Sequence, residues 1–233
     1  MQTALAAKTE FLNNMSHEIR TSIQGVSGIS EGLDEHWEDL QETKRKELVA
    51  SIAGSAKRLQ SLVGNLLDMS KFTAGKMILS LHKMSLNEAI KDMIFECKTL
   101  YTNGKNIEFK FDDDIICSIV ADKERLAQVL RNLFVNAIKF SPDQSSITAI
   151  LRETQNGVMF SIKDEGIGVP EDELSHIFKP FNQSSRTKTK AGGTGLGLSI
   201  CDEIIKLHNG RIWAVNNTDR GATFSFVIPG KAL

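Results

Sequence analysis

Apolar residues in the first third of the chain recur at alternating steps of three and four. Over residues 9–33 the set is Leu12, Met15, Ile19, Ser22, Val26, Ile29 and Leu33, a heptad seam with one polar member. A polar connector follows at 34–42 (DEHWEDLQE). Leu48, Ile52, Ser55, Leu59, Leu62, Leu66 and Met69 then repeat the rhythm, and Val49, Ala56, Val63 and Leu67 widen the stripe. Two antiparallel helices cannot bury stripes this wide against each other, so the pattern predicts a four-helix bundle made by two chains. Residues 1–10 carry no N-cap although Leu5 keeps the phase, so the first helix is expected to continue a coiled coil from an upstream region. Gly75, within KFTAGK, is placed to cap the second helix.

Beyond residue 76 the period changes. A short strand is expected at Met77–Leu81. Ser85 and Glu88 form a capping box before an amphipathic helix carrying Leu86, Ile90, Met93 and Cys97. Asn103-Gly104 turns the chain into a strand at Ile107–Phe111, and another follows at Ser118–Ala121. Asp122 caps a long helix reaching about Phe140. Strands at Ile147–Glu153 and Val158–Lys163 join across Gln155-Asn156-Gly157, a hairpin signal. A short helix is expected near Glu171–Ile177 and a longer one at Leu196–Leu207, with closing strands at Arg211–Val215 and Thr223–Ile228. The predicted fold is an α-helical hairpin over 1–75 followed by an α+β sandwich over 76–233, one sheet with helices on one face.

Composition narrows the classes without choosing among them. The 233 residues are 41% hydrophobic with a formal charge of −1, enough for a core and no field that would attract nucleic acid. Cys97, Cys117 and Cys201 are an odd number at wide spacings, so they suit neither a disulfide framework nor a metal site and fit a reducing compartment. No apolar run approaches the roughly 18 residues of a membrane span, and there is no signal peptide.

Candidate chemistry lies off the core stripes. His17 falls midway round the first helix from its seam, so it is either a nucleophile presented to solvent or an ordinary surface histidine. Thr21 stands one turn ahead on the same face. Glu18 is one step round, and a carboxylate on one imidazole nitrogen fixes the tautomer and makes the other a better nucleophile. On the long helix Asn132, Asn136 and Lys139 share a face. Asparagine is a poor residue for a helix interior, and its carbonyl is a hard oxygen ligand suited to Mg2+ beside phosphates. The plain alternative is the polar face of a surface helix. Asp164-Glu165-Gly166-Ile167-Gly168 follows a strand: the carboxylate can accept from an adenine amino group and the glycines allow close approach to a base, although a plain turn has the same composition. Phe178-Lys179-Pro180-Phe181 reads as core packing at the base of a polar, basic loop. Gly192-Gly193-Thr194-Gly195-Leu196-Gly197-Leu198 opens a helix whose N–H groups and dipole suit anionic oxygens, with Arg186, Lys188 and Lys190 just before it. It is neither a P-loop nor a dinucleotide fingerprint.

The stretch Phe11-Leu12, Met15-Ser16-His17-Glu18, Ile19, Arg20 and Thr21 resembles the phosphoacceptor box of sensor histidine kinases. It departs at Ser22, where that family usually has proline, which would bend the helix. The paired asparagines, DxGxG, FxPF and GxGLGL follow in the order and at roughly the intervals of the same family's catalytic core, and the resemblance covers about residues 5–228. It implies an ATP-dependent protein-histidine kinase, built on an ATP-binding fold shared with Hsp90 and gyrase. His17 is then the phosphoacceptor, with Glu18 as base or orienter and Thr21 serving a phosphatase activity. Asp164, beside Gly166 and Gly168, reads adenine. Asn136 holds Mg2+ with Asn132 next to it. Lys139 and Arg186 meet the phosphates, Phe178 anchors the lid, and Gly193, Thr194, Gly195, Leu196 and Gly197 cradle the triphosphate. The implied partners are a second copy and the receiver domain of a response regulator. The sensor lies outside this stretch, which would be the cytoplasmic portion of a larger, membrane-anchored or hybrid protein. Two other classes compete: an ATPase of the same fold driving conformational change without phosphohistidine, and a non-catalytic dimeric scaffold. An exposed His-Glu pair argues against the first, and intact Asn, Asp and Gly motifs against the second.

Overall fold

The computed structural model describes residues 2–102, 104–113, 115–180, 182, 184–186 and 195–232, without the side chains of 2–14, 17, 231 and 232. Two compact units divide the chain, Met1–Lys76 and Met77–Leu233.

In the first unit, helices α1 (Gln2–Glu35) and α2 (Glu42–Thr73) are joined by a 3-10 turn at Trp37–Asp39. The connector is shorter than its polar composition suggests, because α1 runs on to Glu35. The guanidinium of Arg45 lies 4.5 Å from the centre of the Trp37 ring and pins the turn to α2. With serine at position 22 the backbone keeps its N–H, and α1 is continuous through it. Helix α2 ends in a full Schellman motif, in which Gly75 adopts φ 62°, its N–H donates to Phe72 O, and the Lys76 N–H donates to Lys71 O.

Met15, Ser22, Ser55, Leu62 and Asp68 are buried in this hairpin. The helices come close where the residues are small: a Cβ on Gly25 would stand 3.1 Å from Ser55 Oγ, which accepts from Arg58 Nη2 at 3.0 Å. The widened stripe stays uncovered, with Val49, Val63 and Leu67 exposed beside Ile23. An open apolar groove of about 560 Å³ runs between the helices, lined by Ile23, Val26, Ala56, Leu59, Val63 and Leu67 among others.

The second unit contains β1 (His82–Ser85), α3 (Leu86–Leu100), β2 (Ile107–Asp112), β3 (Cys117–Ala121), α4 (Lys123–Phe140), β4 (Ser145–Thr154), β5 (Gly157–Lys163), α5 (Gly197–Leu207), β6 (Arg211–Asn216), β7 (Ala222–Ile228) and β8 (Lys231–Ala232). These strands form two sheets, ordered β1-β3-β8 and β2-β4-β5-β7-β6, where the sequence pattern suggested one. The smaller sheet is assembled by β3, whose partners β1 and β8 lie far from it in sequence. It also moves the first strand. Residues 77–81 are irregular, with Ile78 and Leu81 exposed, and antiparallel pairing with β3 begins only at His82, opposite Ala121. The helix expected near Glu171–Ile177 is instead a run of turns, with His176 N–H on Glu173 O and Lys179 N–H on His176 O. A segment this short does not repay the cost of helix nucleation.

Both capped helices start as their sequences imply. Ser85 Oγ accepts from Glu88 N, and Asp122 Oδ1 accepts from Arg125 N. The core lies between the helices and one face of the larger sheet. Rings of Phe109, Phe134, Phe160 and Phe226 follow one another across it at 6.5, 6.1 and 5.3 Å, within the favourable range for aromatic pairs.

Two side chains tie the ends of α4 to the rest. Lys105 Nζ donates to the carbonyls of Ile138, Lys139 and Ser141 at 2.9, 3.1 and 2.7 Å. It thereby satisfies groups that a helix C-terminus leaves open and opposes the negative end of its dipole. At the other end, the backbone N–H of Asp122 points at His208 Nε2, while His208 Nδ1 faces Ile204 O. An amide can only donate, so Nε2 accepts and Nδ1 carries the hydrogen that faces Ile204 O. Burial pushes the Asp122 carboxyl up, but backbone N–H groups of Ser80, Arg125 and Glu124 outweigh it and hold the group below the usual aspartate range.

Candidate functional site

Helix α4 places Asn132, Asn136 and Lys139 on one half-buried face. Asn132 is committed on its nitrogen side: Nδ2 donates to Gly197 O at 3.3 Å and to Cys201 Sγ at 3.6 Å, joining α4 to the first turn of α5. Burial pushes the Cys201 thiol up to about 12, so this sulfur is an inert part of the joint. One and two turns on, Asn136 and Lys139 follow Asn132 toward the C-terminal end of the helix. The Lys139 ammonium lies 5.1 Å from the Phe140 ring centre.

Asp164 directly follows β5, beside the β5–β7 seam, and is 5% exposed. Its Oδ1 accepts from Gly166 N at 2.8 Å and Ala222 N at 3.1 Å. Two glycines make room for it. A Cβ on Gly221, at φ 80°, would stand 2.1 Å from Asp164 O, and one on Gly166 would stand 2.8 Å from Phe140 O. The C-terminal end of α4 and the Asp164 loop therefore approach at backbone contact. Burial pushes the Asp164 carboxyl above its ordinary range, against the opposing pull of the Gly166 and Ala222 N–H groups.

Other residues of the set frame this centre. Phe178 packs edge-on to Phe224 at 6.4 Å, which agrees with the packing reading. Arg186 Nη1 donates to Ile167 O at 2.7 Å, so its guanidinium rests on the Asp164 loop. Ser185 N donates to the Glu173 carboxylate at 3.0 and 3.2 Å. Gly168 has φ 66° and Gly195 φ 68°. Leu196 is fully buried. Gly197 opens α5, whose first turn has no side-chain cap and no acidic residue, leaving its N–H groups to anionic partners. Gly193, Thr194, Phe181, Lys188 and Lys190 lie outside the described residues.

In α1, Glu18 is half-buried and Thr21 exposed. The side chain of His17 lies outside the described residues, and its backbone is helical.

The structure thus joins Asn132 to Gly197, α4 to Gly166, and Arg186 to the Asp164 loop. It adds Cys201, Glu173, Asn216 and Asn217. Nothing in the sequence pattern singles these out, since a buried thiol is usual and paired asparagines at a strand end are ordinary turn residues.

A helical hairpin followed by a two-sheet α/β unit with a buried aspartate and a glycine-opened helix defines a class: the kinases whose ATP-binding fold is shared with gyrase and Hsp90. A family model described as His Kinase A (phospho-acceptor) domain matches residues 7–75, and one described as Histidine kinase-, DNA gyrase B-, and HSP90-like ATPase matches residues 121–232. The chain belongs to the sensor histidine kinase family. The circadian input-output histidine kinase CikA of Synechococcus elongatus is 34% identical over 100% of this chain and 31% of its own length. Full-length ShkA, solved in complex with AMPPNP, superposes with a TM-score of 0.70 at 28% identity over 96% of this chain and 46% of its own. Histidine kinase ThkA, solved in complex with the response regulator protein TrrA, does so with a TM-score of 0.69 at 29% identity over 99% and 64%. The chain spans between 25% and 31% of the lengths of three of its relatives.

The raised titration of Asp164 has a consequence for stability. Its carboxyl gives up its proton less readily folded than unfolded, so ionising it costs stability at neutral pH, and that cost is relieved as pH falls through the folded value. Asp164→Asn should therefore melt higher than wild type at pH 7, with the difference narrowing toward pH 4, near the ordinary aspartate value of about 3.9. Thermal melts across that range check it. A variant that melts lower at pH 7 would mean the two N–H donors outweigh the burial.

Proposed function

We propose that residues 1–75 form a dimerising phosphotransfer hairpin and residues 76–233 an ATP-binding domain that phosphorylates His17. The observation that carries this reading is the buried Asp164, fixed on one carboxylate oxygen by two N–H groups. Its other oxygen can then accept from the amino group of adenine. Gly166 and Gly168 keep the loop close to the base. Lys139 and the N–H groups of Gly195 and Gly197 neutralise the triphosphate, with Arg186, Gly193 and Thr194 in the lid and Phe178 at its base.

The donor set also fits Mg2+. Among the described residues no cluster of three or more His, Cys, Asp or Glu could hold a metal. The neutral oxygen of Asn136, with Asn132 behind it, suits a cation that brings phosphate and water ligands of its own. When bound, that ion neutralises phosphate charge and orients the γ-phosphate.

In the reaction a His17 nitrogen attacks the γ-phosphorus, the bond to the β,γ-bridging oxygen breaks, and ADP leaves. Glu18 orients the imidazole and takes up its proton. The work is placement and charge neutralisation, as in other phosphoryl transfers. The P–N bond is reactive enough to pass the phosphoryl to an aspartate of a receiver domain. No helix among the described residues is long and apolar enough to cross a membrane. The reading places this stretch on the cytoplasmic side of a longer sensor.

With γ-labelled ATP, wild type should take up acid-labile label. His17→Gln should take up none while binding ATP near wild type, and Asn136→Ala should lose at least about tenfold in labelling. Label retained by His17→Gln sinks the acceptor assignment.

The apolar groove of the hairpin is read as the seat of a second copy, since monomers rarely leave apolar patches beyond about 600 Å² uncovered. Light scattering at micromolar concentration should give twice the 25.8 kDa chain mass; a monomer mass refutes the pairing.

Thr21 stands on the exposed face one turn from His17, where its hydroxyl is too weak a base to activate the imidazole. It suits a water that attacks a phosphoaspartate docked on that face. Thr21→Ala should keep autophosphorylation within about twofold and slow receiver dephosphorylation by about tenfold or more. The reverse pattern would make Thr21 a group that orients the imidazole.

A further inference from the structure

The loop carrying Asp164 is braced from the turn between β6 and β7 by two amides. Asn216, the last residue of β6, donates from Nδ2 to Val169 O at 2.7 Å and to Glu171 Oε1 at 2.9 Å, and its Oδ1 accepts from Val169 N at 2.9 Å. A primary amide bonded to both the N–H and the C=O of one residue supplies what a neighbouring strand would supply. Asn217 donates from Nδ2 to Asp164 O at 2.8 Å and to Arg220 O at 3.0 Å, while Oδ1 accepts from Thr223 Oγ1 at 2.6 Å. One amide thus holds the start of the loop and the other its end.

The space around these amides is tailored to them. Gly168, at φ 66°, would place a Cβ 3.0 Å from Asn216 Oδ1, and Gly221 leaves no room at Asp164 O. Midway, Glu165 is tied to Arg220 and accepts from Ser146 Oγ at 2.7 Å. Asp164 Oδ1 is already occupied, so the direction of its second oxygen follows from the peptide plane that Asn217 grips. Rotation of that plane would swing Glu165 N and the chain leading to Gly166, loosening the Gly166 N–H bond to Oδ1 and turning the other oxygen.

We propose that Asn216 and Asn217 are positioning residues for recognition of the purine base, acting through Asp164. Asn217 sets the aim of the carboxylate and Asn216 the path of the chain beyond it. This rests on the reading of Asp164 as acceptor of the adenine amino group. Loss of the brace blurs the distinction between a 6-amino and a 6-oxo purine, because the phosphates are held by other elements.

The test compares dissociation constants for ATP and inosine triphosphate, with Mg2+ fixed, in wild type, Asn217→Asp, Asn217→Ala, Asn216→Ala and Asp164→Ala. Asn217→Asp keeps the shape and the acceptor for Thr223 and removes both N–H donors, and Asn217→Ala removes them without adding charge. Wild type should prefer ATP. Each Asn217 variant should lose about tenfold of that preference, the worth of one or two hydrogen bonds, and Asn216→Ala should shift it in the same direction. Affinity for both nucleotides falling in equal proportion marks a role in the fold alone and overturns the proposal. So does a preference kept within twofold by the Asn217 variants while Asp164→Ala loses it, which leaves the reading of Asp164 standing. If Asp164→Ala itself keeps the preference, that reading fails and the proposal with it.

Discussion

A carboxylate removed from water, at the end of a central strand, is the constraint around which the second unit is arranged. Asp164 cannot be solvated, so the backbone must supply donors, and it does so from Gly166 in its own loop and Ala222 in the next strand. Both donors require backbone at close range, which is why Gly166 and Gly221 have no space for a side chain. The strand order β5-β7 brings the second donor. The C-terminal end of α4 is drawn in by the same contact, since Phe140 O lies against Gly166. A polar group that is costly to bury thereby sets the spacing of a sheet, a loop and a helix.

The hairpin solves a different problem. Where α1 and α2 meet, the buried positions include Ser22, Ser55 and Asp68, so the contact between them is narrow and partly polar. Most of the long apolar side chains of the widened stripe remain outside it. The second unit is centred on the chain of rings from Phe109 to Phe226.

Much of this was legible in the sequence. The heptad steps place both hairpin helices, and Ser85, Asp122 and Gly75 mark helix ends that the structure keeps. Local signals of this kind depend on residues a turn apart. What sequence could not supply depends on partners far along the chain. Strand β1 starts at His82 because β3 pairs with it there, although Met77–Leu81 is the more apolar run. The expected helix near Glu171 fails because it is too short to sustain its own hydrogen bonds. At the candidate site, Asp164 and the asparagines of α4 stand out by type and spacing. Asn216, Asn217 and Cys201 do not, since their contacts span 47, 53 and 69 residues and no local rhythm records them.

Lys105 illustrates a different kind of information. Its ammonium meets three carbonyls at the end of α4, and a tetrahedral –NH3+ has three N–H bonds to offer. A guanidinium carries the same charge, but its donors lie in one plane. At this joint, charge and shape are separate requirements, and lysine is the residue that meets both. The last open carbonyls of the helix bearing Asn132, Asn136 and Lys139 are thus met by the stereochemistry of a single nitrogen.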